Sequence, residues 1–150
     1  MNHNFISEEK GTYLLVLKLP KPININVGSL GTISFGKGIY LYIGSALGAG
    51  GLRARILRHL RRDKRLFWHI DYLLKYARVI AIYTIRSPQK LECKIAQQFM
   101  ARNIPYVPRF GSSDCQCRSH LFRIGELNII DKILSDLNLQ FSKIILGEDA

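Results

Sequence analysis

Apolar residues occur along this chain in short runs that proline and glycine interrupt. Residues 11–19, GTYLLVLKL, are rich in β-prone apolar types and stop at Pro20, which is the pattern of a buried strand. Further runs predict strands over 23–27, 32–35, 39–43 and 79–85, and near the end of the chain in HLFRI and SKIIL. Short turns join the first of these strands, so we expect the chain to open as an antiparallel meander.

Longer segments with a helical spacing of apolar residues separate the later strands. They predict a basic helix over 52–63, a second helix from about 67 to 77 and a weaker one over 126–137. Ser87 and Pro88 suit the cap and the first position of a further helix that ends near residue 102. No repeat or domain boundary interrupts the pattern. We therefore predict that residues 1–150 form a single α+β domain, a small antiparallel sheet flanked by helices.

The charge balance narrows the range of partners. The chain has 150 residues and a net charge of +11, from 22 basic and 11 acidic side chains. That excess favours a polyanion, and nucleic acid more than a membrane surface. No apolar run approaches the roughly 20 residues that cross a bilayer, and the first residues, MNHNFISEEKG, do not resemble a secretory signal. We therefore expect a cytoplasmic protein whose three cysteines are thiols.

Two tyrosine–glycine patterns stand side by side in KGIYLYIGSA, residues 37–46. Tyr40 and Tyr42 are two residues apart in one predicted strand, so they point to the same face and are not brought together from different strands. The first predicted strand offers another partner, because Tyr13 can meet Tyr42 if the two strands are neighbours. The alternative is that these are ordinary strand tyrosines with glycines at the strand ends.

The predicted basic helix carries arginines on one side and apolar residues on the other. In GLRARILRHLRRDK, Arg55 and His59 lie four residues apart at the border between the two arcs. A guanidinium at this border can lie along the sheet surface and bind one particular phosphate with two hydrogen bonds. The other arginines are expected to contact flanking phosphates or, alternatively, to form a solvated basic face; they are Arg58, Arg61 and Arg62.

A glutamate interrupts the apolar arc of LECKIAQQFM, residues 91–100. On a helical wheel Glu92 projects within that arc, near Phe99. A carboxylate that faces a core is unfavourable unless a cation or a metal ion balances its charge. Such a hard oxygen ligand suits Mg²⁺ or Mn²⁺. The alternative is that Glu92 lies near the helix start, where the dipole favours negative charge, and pairs with an arginine.

The segment FGSSDCQCRSH contains Cys115, Cys117 and His120, a candidate zinc cluster. Its C-x-C-x-x-H spacing supplies three soft ligands, and Cys93 is the fourth only if the fold brings it close. We expect instead a structured loop beside the active cleft, with turn hydrogen bonds made by Ser112, Ser113 and Asp114. Trp68, at the start of the second predicted helix, is expected in the core and not as a platform for base stacking.

Five segments, taken in order, resemble the GIY-YIG endonuclease superfamily: GTYLLVLKL, KGIYLYIGSALGAGGLRARILRHLR, WHIDYLL, LECKIAQ and FGSSDCQCRSHLF. The similarity is greatest to an uncharacterised, mostly archaeal branch that is sometimes fused to a base-excision glycosylase. Gly11-Thr12-Tyr13 and Tyr42-Ile43-Gly44 match the two halves of the family motif. The family's R-x-x-x-H spacing matches Arg55 and His59, and its helical glutamate matches Glu92.

The resemblance implies hydrolysis of DNA phosphodiester bonds. Tyr13 would orient or deprotonate the attacking water, Tyr42 would hydrogen-bond at the same face, and Arg55 would stabilise charge on the phosphate. Glu92 would hold one Mg²⁺ or Mn²⁺ ion that helps the leaving oxygen depart. His59 joins these predicted catalytic residues. Further nucleic-acid contacts are expected from Ser45, Lys64 and His69.

Three classes of function fit this sequence. The first is a metal-dependent DNA endonuclease in repair or processing. The second is a nucleic-acid-binding module that keeps the fold and the basic helix without cleavage. The third is a structural partner of a repair enzyme. Residues 20–38, which separate the two halves of the motif, are expected to form an added strand and turns.

Overall fold

The computed structural model describes residues 6–112 and 117–147. These residues form two sheets, four α-helices and a short 3-10 helix, Gly28–Leu30. The strands and α-helices follow one another in the order β1 (Gly11–Leu19), β2 (Ile23–Asn26), β3 (Thr32–Phe35), β4 (Gly38–Ala46), α1 (Gly51–Leu60), α2 (His69–Leu73), β5 (Arg78–Arg86), α3 (Glu92–Ala101), β6 (Leu121–Ile124), α4 (Asn128–Asp136) and β7 (Ser142–Ile145).

The main sheet has five strands in the order β6-β4-β1-β5-β7, and all its neighbouring pairs are antiparallel. Alternate residues of β1 point to opposite faces. Leu15 and Leu17 pack with apolar residues of α1 and α2, whereas Leu14 and Val16 pack with apolar residues of α3 and α4. Helices therefore cover both faces of a central strand that is apolar almost throughout, which confirms the predicted α+β class.

The predicted opening meander is wrong in its connectivity. β1 pairs with β4 and β5, while β2 and β3 pair only with each other in a separate two-stranded sheet. Pro20 ends β1 because proline has no amide hydrogen for a further ladder bond. Ile25 and Phe35 bury the small sheet against the core on the α1–α2 side. Residues 20–38, expected to form an added strand and turns, thus contain both strands of a separate hairpin.

Each of the four α-helices is shorter than the sequence predicted. α3 begins at Glu92, because the amide of Ser87 donates to the carbonyl of Lys10 and its Oγ accepts from the amide of Gln89 in a local turn. α2 is a short helix that ends at Leu73, before the predicted end near 77. α1 ends at Leu60 because Arg61 has an extended backbone. No α-helix in the described parts of the chain has the length and apolar character needed to span a membrane.

Gly44 has a steric role at the centre of the main sheet. The register pairs Tyr13 of β1 with Gly44 of β4, and the Tyr13 ring lies directly against the Gly44 backbone. A Cβ atom at position 44 would overlap the ring and the hydroxyl of Tyr13. The glycine of the Tyr42-Ile43-Gly44 sequence is therefore required by a close approach, and not by an unusual backbone angle.

Replacing Gly44 with alanine should force the Tyr13 ring out of its position. We expect the free energy of unfolding to fall by about 1–3 kcal/mol, the usual effect of overpacking a core. Urea denaturation measures this loss. Gly125→Ala is the matched control, because among the described residues no atom beyond Gly125 and its two chain neighbours lies within 4 Å of the methyl group that it would add. Similar losses in the two variants would contradict the close-approach explanation.

Candidate active site

A cleft of about 480 Å³ opens where β1 and β4 meet the ends of the flanking helices. It gathers residues that are far apart in the sequence. Among its lining residues are four of the five predicted catalytic positions and two of the predicted nucleic-acid contacts: Tyr13, Tyr42, Arg55, Glu92, Ser45 and His69. The fold thus brings together on one surface most of the positions that the sequence singled out.

Tyr13 and Tyr42 lie on neighbouring strands, as predicted. Their ring centroids are 6.5 Å apart, and both side chains lie on the face of the sheet that α1 and α2 cover. Tyr40 shares this face but has a different environment, since its hydroxyl donates to the carbonyl of Gly36 and its ring packs edge-on against Phe35. The cleft tyrosines are therefore Tyr13 and Tyr42.

His59 belongs to the buried part of this arrangement. It is only 2 % exposed, and its Nε2 lies 2.6 Å from the hydroxyl oxygen of Tyr13. Burial lowers the pKa of His59 to about 3, although the Asp71 carboxylate opposes this shift, so the imidazole is neutral at neutral pH. Burial also raises the pKa of Tyr13 above its ordinary value, against the effect of Arg55, and raises that of Tyr42. The tyrosines of the cleft are therefore neutral phenols, and the imidazole buried behind Tyr13 is neutral as well.

Arg55 is fixed at the edge of the cleft. Its guanidinium donates a hydrogen bond of 2.9 Å to the carbonyl of Ser45 and lies 4.5 Å from the centroid of the Trp68 ring. The carbonyl and the ring restrain a flexible side chain and leave part of its hydrogen-bonding capacity available. Ser45 contributes its backbone here, whereas the sequence predicted a contact to nucleic acid.

Arg58 has a structural partner that the sequence did not predict. Its guanidinium donates two hydrogen bonds of 2.9 Å to Asp71, a side chain with no exposure. Asp71 also accepts from the amides of Phe67 and Trp68 at the start of α2. Burial opposes ionisation, but the Arg58 and amide hydrogen bonds hold the pKa of Asp71 below its ordinary value. Arg58 thus binds the start of α2 to α1, and these hydrogen bonds occupy the guanidinium that the sequence predicted to contact a phosphate.

The remaining basic residues near α1 differ in their exposure and in the hydrogen bonds of their side chains. Arg61 and Arg62 are exposed just beyond the end of α1. Lys64 instead donates to the carbonyls of His59 and Arg61, at 2.7 and 2.6 Å, and so satisfies acceptors at the helix terminus. His69 accepts a hydrogen bond of 2.9 Å from the amide of Gly111 through Nδ1. Arg61 and Arg62 are therefore the side chains of this set that are best placed to contact a ligand.

Glu92 is the first residue of α3 and lines the cleft with a side chain that is 12 % exposed. Its carboxylate oxygens lie 3.6 Å from Lys90 Nζ and 3.9 Å from His120 Nδ1. Both the helix start and a cationic neighbour match the alternative interpretation, but the neighbour is a lysine and not an arginine. One hard carboxylate beside an open cleft also fits a Mg²⁺ or Mn²⁺ site that water and phosphate complete.

Three residues line the cleft although the sequence did not predict them there: Phe67, Lys90 and His120. Phe67 is 72 % exposed at the cleft, where its ring packs edge-on against Trp68. Lys90 and His120 flank Glu92. An aromatic residue inside the basic segment KRLFWH was the available sequence indication for Phe67. Trp68 is partly buried and packs against the core, as predicted.

The cysteine loop is only partly described. Ser113, Asp114 and Cys115 lie outside the described residues, and Ser112 is buried. Cys117 and His120 lie close to Cys93 of α3, with one candidate ligand atom from each within 4.8 Å of the others. The fold therefore brings Cys93 close to the cysteine loop, which the zinc interpretation of the sequence required.

Fold and cleft together define an α+β domain with tyrosine, histidine, arginine and glutamate side chains around one opening. The model of a family described as a domain of unknown function, DUF123, matches residues 12–142, and the chain belongs to that family. Neither a curated protein nor a solved structure matches the chain.

The buried neutral state of His59 predicts a particular loss of stability in acid. The unfolded chain protonates this histidine near its ordinary pKa of about 6.5, whereas the folded protein resists protonation until about pH 3. Stability should therefore fall as the pH drops through this window, because the unfolded state binds more protons. His59→Gln should reduce the slope of the unfolding free energy between about pH 6.5 and 5 by about 1 kcal/mol per pH unit.

Urea denaturation at a series of pH values measures this slope. His69→Gln is the comparison, because burial also lowers the pKa of His69, which is less deeply buried. We expect the change to be smaller in that variant. An unaltered slope in His59→Gln would show that this imidazole is not kept neutral by the fold.

Proposed function

We propose that this protein is a divalent-metal-dependent DNA endonuclease of the GIY-YIG type, which hydrolyses phosphodiester bonds in DNA repair or processing. The observation that carries the proposal is the convergence of Tyr13, Tyr42, Arg55 and Glu92 on one cleft. These side chains come from three separate elements and the start of a fourth, and their chemistry suits water activation, binding of phosphate and binding of a hard cation.

The charge and shape of the surface support DNA as the substrate. The net charge of +11 favours a polyanion, and exposed Arg61 and Arg62 offer contacts to flanking phosphates. Exposed Phe67 offers an aromatic surface on which a base can stack. Arg55 lines the cleft and supplies a positive charge for a phosphate there.

The contact between Tyr13 and His59 provides a route for the proton of the attacking water. A tyrosine with a raised pKa is a poor base by itself. In this mechanism the water gives its proton to the Tyr13 oxygen while the Tyr13 hydroxyl proton passes to Nε2 of neutral His59, 2.6 Å away. The hydroxide then forms a bond to phosphorus as the bond to the leaving oxygen breaks. Binding of the negative phosphate would raise the proton affinity of His59 above that of the free protein.

Arg55 and Glu92 provide the charges for the transition state. The Ser45 carbonyl and the Trp68 ring hold Arg55 in place before the substrate arrives, so little reorganisation is needed when charge develops on the phosphate. Glu92 supplies a carboxylate oxygen for a hard cation. A bound Mg²⁺ or Mn²⁺ ion would supply Lewis-acid stabilisation of the leaving oxygen.

Glu92→Gln separates an enzyme from a binding module. The change keeps the shape of the side chain and removes the charge that holds the cation. We expect nicking of plasmid DNA in Mg²⁺ or Mn²⁺ to fall by about 10²–10³-fold, the range for the loss of one electrostatic catalytic group. DNA affinity and melting temperature should stay close to wild type. Glu126→Gln is the charge-matched control, since Glu126 is exposed and does not line the cleft.

Full activity in Glu92→Gln would reject the metal role of this residue. A lower melting temperature with cleavage intact would instead show that Glu92 is a structural partner of its neighbours. A wild-type protein that cleaves none of plasmid, flap, bubble and mismatched DNA with any divalent ion would favour the non-catalytic binding module.

The salt dependence of DNA affinity tests the binding surface independently. Each phosphate contact that is lost should flatten the slope of log affinity against log salt by about 0.9, because fewer counterions are released. We expect the Arg61→Gln, Arg62→Gln double variant to lower the slope by about 1.8 on any DNA sequence. Lys132→Gln with Lys143→Gln removes the same charge from α4 and β7 and should leave it unchanged. Equal slopes in all three proteins would exclude Arg61 and Arg62 from the interface.

A further inference from the structure

We propose that Cys93, Cys117 and His120 bind one zinc ion, in a site separate from the carboxylate chemistry of the proposed nuclease. Cys93 lies in the first turn of α3, whereas Cys117 and His120 precede β6. The fold brings these three positions together from two parts of the chain, and one candidate ligand atom of each lies within 4.8 Å of the other two. The ion would therefore join α3 to the segment that leads into β6.

The distances are close to those of a bound site. Tetrahedral zinc with Zn–S bonds of about 2.3 Å and Zn–N bonds of about 2.0 Å holds its ligand atoms roughly 3.5–3.8 Å apart. The Sγ of Cys93 is 3.9 Å from Nε2 of His120. The widest separation in the group is no more than 4.8 Å, so small side-chain rotations suffice to close it. Two sulfur donors and one imidazole favour zinc over Mg²⁺ or Mn²⁺.

Charge and burial also fit a zinc ion with two thiolates. The His120 side chain is 3 % exposed, and Cys117 packs against the apolar cluster that includes α3 and α4. Zn²⁺, two thiolates and a neutral imidazole have no net charge, so the complex can lie beside apolar residues. Binding would release the two thiol protons to solvent.

The site would connect directly to the cleft through His120. The backbone of His120 donates to the carbonyl of Phe110 and accepts from the amide of Ile43 in β4, at 2.8 and 2.9 Å. Its Nδ1 faces a Glu92 oxygen at 3.9 Å. Histidine ligands to zinc commonly direct their second nitrogen to a carboxylate or a carbonyl, which fixes the ring. A zinc ion would thus fix the position of His120 and, with it, the side of the cleft next to Glu92.

The zinc content of the purified full-length chain tests this site without any DNA. We expect about one zinc ion per chain by elemental mass spectrometry, and its loss from Cys93→Ser and from His120→Asn. Arg118→Gln is the matched control, because Arg118 is an exposed neighbour of Cys117 in the same segment. A chelator should lower the melting temperature of the wild type and of this control, but not that of Cys93→Ser.

Wild-type protein alone provides a second measurement if the variants fold poorly. After reduction and removal of metal, equimolar zinc should slow alkylation of Cys93 and Cys117 at least about tenfold, because bound thiolates are shielded. Cobalt in place of zinc should give the visible bands of a tetrahedral thiolate complex. Unchanged alkylation, or a mass lower by two hydrogen atoms from a disulfide between Cys93 and Cys117, would overturn the proposal.

These results are separable from those on DNA cleavage. A chain that binds zinc at this site but cleaves no DNA would reject the nuclease and support the zinc site. A chain that cleaves DNA in Mg²⁺ while it binds no zinc would reject the zinc site alone.

Discussion

The close contact between the Tyr13 ring and the Gly44 backbone is the constraint on which the cleft depends. It requires β1 and β4 to be neighbours in one register, and that register brings Tyr42 beside Tyr13. The same strand pair leads into α1, whose first amides donate to carbonyls of the segment before β1, at Ser7 and Glu9. These contacts fix α1 against β1 and β4, and His59 of α1 reaches the Tyr13 hydroxyl. A change at Gly44 would therefore disturb more than one ring.

Two arginines one helical turn apart have different roles because their partners differ. Arg58 donates twice to Asp71, a fully buried carboxylate that also accepts from two amides, so its charge is already balanced within the fold. Arg55 has a neutral carbonyl and the ring of Trp68 as its neighbours, which orient it without cancelling its charge. Trp68 contacts both guanidiniums and so couples the structural arginine to the one at the cleft. Arg55 keeps the charge that an anionic ligand requires.

Local patterns predicted much of this fold and of the candidate site. The apolar run of β1 was predicted with its observed bounds. The helical spacing of Arg55 and His59 predicted that the two lie side by side on α1, and the structure adds that both lie near Tyr13. The partner of Arg58 was missed because Asp71 is thirteen residues away, in another helix, and no periodicity joins the two. The separate hairpin of β2 and β3 was missed for a related reason: short apolar strands specify which face is buried but not which strand is the neighbour. Patterns within one element were informative, whereas contacts between elements, such as that of Arg58 with Asp71, were not predicted except for the pair of Tyr13 and Tyr42.

The first two residues of α3 are a hard oxygen donor and a soft sulfur donor. This difference determines which metal ion each of them favours. Glu92 and Cys93 are consecutive residues, but the carboxylate lines the cleft while the thiol lies near Cys117 and His120. Successive helical residues point about 100° apart, so a single turn can serve two different surfaces. Oxygen ligands favour Mg²⁺ or Mn²⁺ and sulfur ligands favour zinc, so donor type would keep two ions apart even where His120 lies between the two groups. A zinc ion on the thiol side would then act on the cleft by fixing the imidazole beside Glu92, and not by entering the reaction.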